Sequence, residues 1–213
     1  MAVIYILGLL ARAGHGKTTV AQHLVANHGA EVQSLAGPLK RAAQRVFGFT
    51  DEQVWGAQKE AVDPRYGFSP RWLLQRLGTE GLRAEFGDDI HARALLRGLR
   101  QRPPEGPPRL VVVDDVRFPN DAHFIAQGGP DFRGAVLKLV CTDAGGASAG
   151  AHASEDAIDA VSPEDVAFTV TSSRALGLPH LYRAVDDALR GAEFASLQPA
   201  LSVGVDGRLA GRA

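Results

Sequence analysis

The sequence is poor in cysteine, in net charge and in long apolar runs, and each shortage excludes a class of protein. Cys141 is the only cysteine among the 213 residues, so the chain forms no internal disulfide and suits a reducing compartment. The net charge of −1 gives no overall basic field to attract nucleic acid. The apolar stretch from Val3 to Leu10 is shorter than the roughly 20 residues of a membrane span and lacks the basic start of a signal peptide. We therefore expect a cytoplasmic protein without a membrane or nucleic-acid partner.

Hydrophobic residues make up 45% of the chain, which is enough to build the core of one globular domain. We predict strands at residues 2–10, 109–113, 135–141 and 167–171, and helices at residues 17–27, 39–47, 70–77, 81–86, 91–100 and 181–189. Strands that alternate with helices predict an α/β fold with a parallel sheet flanked by helices. We expect this domain to span residues 1–190 and to be followed by a tail of small residues at 191–213.

The segment ARAGHGKTT at residues 11–19 follows the first predicted strand and opens the first predicted helix. It fits the phosphate-loop pattern of a glycine, four residues and Gly-Lys-Thr, except that Ala11 replaces the leading glycine. Such a loop turns backbone N–H groups towards phosphate oxygens, and the helix adds its positive N-terminus. Lys17 is expected to reach the outer phosphates and Thr18 to hold Mg²⁺, while the His15 side chain faces solvent and takes no catalytic part. We predict an ATP-binding site formed by Ala13, Gly14, His15, Gly16, Lys17, Thr18 and Thr19.

The segment RLVVVDDVRFPND supplies acidic residues at the end of a second apolar strand. A carboxylate in this position commonly holds the Mg²⁺ that accompanies a phosphate loop, and we assign that role to Asp115. Asp114 and Asp115 alternate across the strand, so we expect only one of them to face the loop. Arg117 should point the same way as Asp115, and its guanidinium could grip a phosphate.

Several further segments, in this order along the chain, are similar to those of one known family. They are Gly37-Pro38-Leu39-Lys40, Ser69-Pro70-Arg71, Leu74-Gln75, Leu77-Gly78-Thr79-Glu80 with Arg83, Asp115-Val116-Arg117-Phe118-Pro119-Asn120, and His152-Ala153-Ser154-Glu155. Together with the phosphate loop, this ordered set resembles the deoxynucleoside monophosphate kinases typical of bacteriophages, within the superfamily of phosphate-loop nucleoside monophosphate kinases. The resemblance covers residues 1 to about 190.

The resemblance implies a kinase that uses ATP and Mg²⁺ to convert a deoxynucleoside monophosphate into the diphosphate. It implies an inserted substrate-binding lobe at about residues 32–105, a lid at about residues 142–160 and a possible homodimer. Lys17, Arg117 and Asp115 would be catalytic, because phosphoryl transfer depends mainly on positioned charge. Residues in or near the quoted segments would bind the substrate: Lys40, Arg71, Gln75, Thr79, Glu80, Arg83, Arg117, Ser154 and Glu155. Glu80 could instead orient Arg83.

The sequence also departs from the family pattern. Thr18 stands where the family often has aspartate, and His91 stands where we would expect tryptophan. No lysine or arginine occurs between Val140 and Ile158, although lids of such kinases commonly supply an arginine. Residues that could replace this arginine are Arg12, Arg133 and Lys138. We expect the two tryptophans, Trp55 and Trp72, to serve in packing.

Two other functions fit the same residues. A related kinase could act on another small acceptor or on a modified base in DNA. A hydroxyl acceptor would require a general base, for which Asp114 or Asp115 could serve. The chain could alternatively be a regulatory or assembly protein that binds ATP without transferring phosphate, which the charge-poor lid would favour.

Overall fold

The computed structural model describes residues 4–101, 109–144 and 157–190. Contacts divide the chain into two units, one comprising Met1–Gln33 with Pro103–Ala213 and the other comprising Ser34–Arg102. The predicted tail at 191–213 and residues 145–156 of the predicted lid lie outside the described residues. The described helices are α1 (Lys17–His28), α2 (Gly37–Phe47), α3 (Asp51–Val54), α4 (Pro70–Gln75), α5 (Ala84–Phe86), α6 (Ile90–Arg100), α7 (Pro119–Gln127) and α8 (Gly177–Arg190).

The first unit is built on a parallel sheet of five strands. These are β1 (Ile4–Leu10), β2 (Glu31–Gln33), β3 (Arg109–Val116), β4 (Phe132–Cys141) and β5 (Phe168–Ser172), in the spatial order β2-β3-β1-β4-β5. Every neighbouring pair is parallel. All seven residues of the central strand β1 are buried, which explains why its sequence is continuously apolar. The predicted α/β fold is confirmed.

Helices cover both faces of this sheet. Leu7 and Leu9 of β1 share a core cluster with residues of α1 and α8, whereas Gly8 between them faces Ile125 of α7. A Cβ at Gly8 would lie 3.1 Å from Ile125 Cδ1, so the glycine permits close packing on that face. The core therefore fixes β1 firmly, and the segment that follows β1 begins from a rigid position.

The second unit is helical and contains its own core. Ala43, Phe49, Val54 and Leu73 form a buried cluster that joins α2, α3 and α4. Asp63 is 2% exposed and accepts hydrogen bonds from Arg65 Nη2 at 2.7 Å and Gln53 Nε2 at 2.8 Å. Hydrogen bonding to the Arg65 side chain holds the pKa of Asp63 well below its ordinary value. The polar segment predicted between residues 51 and 70 is thus organised around an ion pair whose carboxylate is buried and whose guanidinium is half exposed.

Some elements differ from the sequence prediction. Helix α7 and strand β2 were not predicted; β2 has three residues, too few to show a period. The two helices predicted at 70–77 and 81–86 are joined by a π-helical segment, Arg76–Arg83. Strand β3 runs three residues further than predicted, through both aspartates to Val116. Among the described helices, none has the length and hydropathy required to cross a membrane.

Candidate active site

The phosphate loop connects β1 to α1 at the carboxyl edge of the sheet. Gly14 and Gly16 have φ values of 77° and 91°, which an L-residue rarely adopts. Gly16 is the N-cap of α1 and provides no side chain to the first turn. The first N–H groups of a helix lack intrahelical partners, and together with the helix dipole they bind anions. The loop therefore has the backbone geometry that a phosphate group requires.

The Lys17 side chain folds back over this loop. Its Nζ donates hydrogen bonds to the carbonyl oxygens of Ala11 and, at 3.2 Å, of Arg12. Lys17 is half-buried, whereas Thr18 beside it is exposed and Thr19 is half-buried. The structure thus places one ammonium group directly over the turn.

His15 does not simply face solvent, as the sequence analysis expected. It is half-buried, and its Nδ1 accepts a hydrogen bond of 3.2 Å from the backbone N–H of Cys141 at the end of β4. That expectation was wrong because a strand distant in sequence ends beside the loop. The contact fixes the ring as a structural link between the loop and β4.

The acidic end of β3 contains a β-bulge. Gly8 pairs with Val113 and Leu10 pairs with Val116, so two steps along β1 correspond to three steps along β3. Asp114 and Asp115 lie within this bulge, and both are half-buried. The regular alternation of side chains is interrupted there, so alternation alone does not determine which carboxylate faces the loop. The pairing does bring the bulge beside the last residues of β1.

Arg117 is half-buried and follows the end of β3, on the same edge of the sheet as the phosphate loop. Carboxyl ends of parallel strands meet at one edge, and ligands of open α/β sheets bind there. The structure therefore brings the phosphate loop, Asp115 and Arg117 to one edge of the sheet.

A second arginine near the loop was missed by the sequence analysis. Arg174 follows β5, and its Nη2 lies 3.5 Å from the carbonyl oxygen of Gly14. Asp143, just beyond β4, accepts hydrogen bonds from the backbone N–H of Arg174 at 2.7 Å and of Ala175 at 3.2 Å. The Arg174 N–H is the main cause of the lowered pKa of Asp143. Both residues lie just after a predicted strand, at the edge of the sheet where ligands bind, and this position could have identified them from the sequence.

The three residues suggested as substitutes for a lid arginine have different surroundings. Arg12 forms an ion pair with Asp159. Lys138 pairs in register with Leu10, close to the phosphate loop. Arg133 pairs with Tyr5 near the beginning of β1, and five residues of extended strand, about 16 Å, separate it from Lys138. Arg133 therefore lies towards the opposite edge of the sheet and is a poor substitute.

The substrate-binding residues predicted in the second unit lie on or near its helices. Gln75, Thr79 and Glu80 are exposed, and the last two belong to the π-helical segment, a type of structure that often marks functional sites. Glu80 forms an ion pair of 2.8 Å with Arg76. Arg83 donates instead to the carbonyl oxygen of Asp88, so the suggestion that Glu80 orients Arg83 was wrong.

Lys40 and Arg71 are both half-buried in this unit. Lys40 Nζ lies 4.1 Å from the ring centroid of Trp55, a cation–π distance. Arg71 Nε lies 3.5 Å from a carboxylate oxygen of Glu60, whose side chain is exposed to solvent. Such a solvated pair stabilises the fold little, so Arg71 keeps its charge available for a ligand. The binding roles of these two residues stay predictions.

His91, which replaces an expected tryptophan, has a structural position. It is 8% exposed, and its Nε2 lies 3.2 Å from the carbonyl oxygen of Gly78. A Cβ at Gly78 would lie 3.2 Å from Leu39 Cδ2. His91 thus helps to hold the π-helical segment against α2 and α6. Ser154 and Glu155 of the predicted lid lie outside the described residues.

The parallel sheet and the glycine-rich loop between its central strand and the next helix define a phosphate-loop α/β protein. A protein of Acanthamoeba polyphaga mimivirus, named "Putative deoxynucleotide monophosphate kinase", is 38% identical over 138 residues, which cover 58% of this chain and 69% of that protein. The chain belongs to the deoxynucleotide monophosphate kinase family. It is accordingly a nucleotide kinase, a phosphotransferase. No model of a protein family matches the sequence.

Solved structures resemble the chain more distantly. The structure of TT1252 from Thermus thermophilus is 20% identical, with a TM-score of 0.49, over 88% of this chain and 97% of that one. Shikimate kinase from Acinetobacter baumannii, in complex with shikimate, is 18% identical, with a TM-score of 0.39, over 97% of this chain and 96% of that one.

Proposed function

We propose that this chain transfers the γ-phosphoryl group of ATP to a deoxynucleoside monophosphate in an Mg²⁺-dependent reaction. The observation that carries the proposal is the Lys17 ammonium held over a glycine-rich turn, with the bulged acidic end of β3 beside it. The similarity to a protein named as a deoxynucleotide monophosphate kinase supports the choice of acceptor.

On the donor side, Lys17 would exchange its carbonyl partners for the outer phosphate oxygens of ATP. The N–H groups of the first turn of α1 would hold the remaining oxygens. The hydroxyl of Thr18 and a carboxylate of the β3 bulge, for which we propose Asp115, are the hard oxygen donors that suit Mg²⁺. An Mg²⁺ ion held by these oxygens would offset negative charge on the phosphates.

On the acceptor side, the reaction needs cations rather than a base. An oxygen of the acceptor monophosphate forms a bond to the γ-phosphorus while the bond from that phosphorus to the β-phosphate oxygen breaks, and ADP leaves. The ionised oxygen is already nucleophilic. Arg117 of the first unit is proposed to hold a phosphate, because guanidinium groups bind phosphate in a forked geometry. In the second unit, we propose Lys40, Arg71 and Arg83 as substrate-binding cations.

Recognition of the base and sugar falls to exposed polar side chains of the second unit. Gln75, Thr79 and Glu80 are exposed on α4 and the π-helical segment. Polar groups that a correct substrate satisfies discriminate strongly against analogues that leave them unpaired. We propose that these three residues select the nucleoside.

The test is to measure ADP formation from ATP and Mg²⁺ with each deoxynucleoside monophosphate in turn, and with no acceptor. We expect turnover only with an acceptor, and mass spectrometry should identify the matching diphosphate. ADP formation that is independent of acceptor, or ATP binding without turnover across the whole panel, would contradict the proposal. The second result would favour the regulatory role.

A further inference from the structure

Two histidines and an aspartate converge where α1 packs against α8, outside the proposed active site. Nε2 of His23 lies 2.8 Å from Oδ1 of Asp186, and Nε2 of His28 lies 2.9 Å from the same oxygen. The three side chains are 7%, 14% and 20% exposed. Two imidazole nitrogens therefore approach one carboxylate oxygen in a partly dehydrated setting.

The donor set and spacing fit a transition-metal ion. His and carboxylate ligands bind Zn²⁺ at about 2.0–2.2 Å, which places tetrahedral ligand atoms about 3.3 Å apart. The three donor atoms already lie within 4.8 Å of one another. To hold Zn²⁺ at those bond lengths, each His–Asp pair, now at 2.8 Å or 2.9 Å, would open by about half an ångström, and the two nitrogens would settle about 3.3 Å apart. Mg²⁺ prefers oxygen ligands, so this site would discriminate against the ion proposed for the kinase reaction.

The surroundings of the His23 and His28 rings favour metal binding. His23 is stacked on Tyr182, with centroids 4.3 Å apart and planes 5° from parallel, so its orientation is fixed. Nδ1 of His28 is buried and has no hydrogen-bond partner, so the Nε2 that faces Asp186 makes the hydrogen bond of this ring. Asn27 Nδ2 lies 3.0 Å from Nδ1 of His23. Asn27 is exposed, and a turn of its side chain would present its oxygen to an Nδ1–H group, as metal-bound histidines require.

We propose that His23, His28 and Asp186 form a binding site for a Zn²⁺-class divalent ion that joins the first and last described helices. His23 is six residues, about 9 Å, further along α1 than Lys17, and His28 about 16 Å further. The ion is thus kept away from the reacting phosphates. Its role is structural: it fixes the helix that begins at the phosphate loop. The inference does not depend on the choice of acceptor.

The test uses tag-free protein, stripped with EDTA and titrated with Co²⁺ in excess Mg²⁺ and without nucleotide. We expect visible absorption that saturates at one Co²⁺ per chain, displacement by one Zn²⁺, and a melting temperature raised by either ion. His28→Ala and the isosteric Asp186→Asn should each weaken binding by about 100-fold or more. No stoichiometric uptake would overturn the proposal.

Matched controls separate this site from adventitious binding. His180 is an exposed histidine of α8, and Asp187 is an exposed aspartate paired with Arg190 at 2.8 Å. His180→Ala and Asp187→Asn should leave the Co²⁺ titration unchanged. Asp186→Asn preserves side-chain shape, so its circular dichroism should match that of the unmodified protein, and the melting-temperature gain caused by metal is measured for each protein against its own metal-free melt. Uptake that survives both Asp186→Asn and His28→Ala would refute the site.

Discussion

Replacing Lys17 with methionine tests the centre of the proposed mechanism. Methionine retains an unbranched stem but removes the ammonium that donates to the carbonyl oxygens of Ala11 and Arg12. The substitution therefore has two effects that can be measured separately. The loop loses hydrogen bonds in the free protein, and the phosphates of ATP lose a positive charge.

The loss of the loop hydrogen bonds is expected to cost less free energy than the loss of positive charge at the phosphates. Ala11 is 1% exposed, so its carbonyl oxygen has little access to water once the ammonium is gone. Leaving such an acceptor unpaired costs about 1–3 kcal/mol of unfolding free energy. Removing one preorganised donor from a developing charge costs about 2.7–4 kcal/mol, or roughly 10²–10³-fold in kcat. We expect a variant that folds but transfers phosphate at least about 100-fold more slowly.

The assay is ADP formation with the acceptor found in the panel above, together with urea unfolding of the same preparation. Lys59→Met is the matched control, because Lys59 is an exposed lysine on a short 3₁₀-helix of the second unit. The control should retain full activity. A folded Lys17→Met protein with near-normal kcat and kcat/KM would refute the role assigned to Lys17.

Three further perturbations test the neighbouring features. Asp115→Asn should raise the Mg²⁺ concentration needed for half-maximal activity more than Asp114→Asn does; the reverse order would assign the metal to Asp114. Gly16→Ala forces a Cβ into a residue with φ of 91°, so urea unfolding should show a loss of about 1–2 kcal/mol, and unchanged stability would contradict the strained geometry. The lowered pKa of Asp63 means that its ion pair with Arg65 stabilises the fold above the ordinary aspartate value of 3.8 and progressively less below it. Asp63→Asn should therefore lower the melting temperature at pH 7 by more than at pH values below about 3.8, and an equal difference at both would argue against this ion pair.

The α/β fold class could be predicted from the sequence because each pattern that indicates it lies within one short segment of the chain. The apolar run of β1, the glycines of the loop and the helical period after Lys17 each lie within a dozen residues. Element boundaries were less predictable where tertiary packing extends an element. The aspartates that end the apolar part of β3 lie in a bulge between Val113 and Val116, which both pair with β1, so the strand continues past them. Hydrophobic patterning does not detect this continuation.

The sequence by itself determined the phosphate loop, the parallel sheet that supports it and the ordered motifs of the kinase family. Only the tertiary structure decided which distant side chains meet. His15 contacts a residue 126 positions away, and His23 contacts one 163 positions away. These pairings depend on the register of β4 beside β1 and on the packing of α8 against α1. Register and packing follow from the whole core, because no short segment contains both partners of either contact.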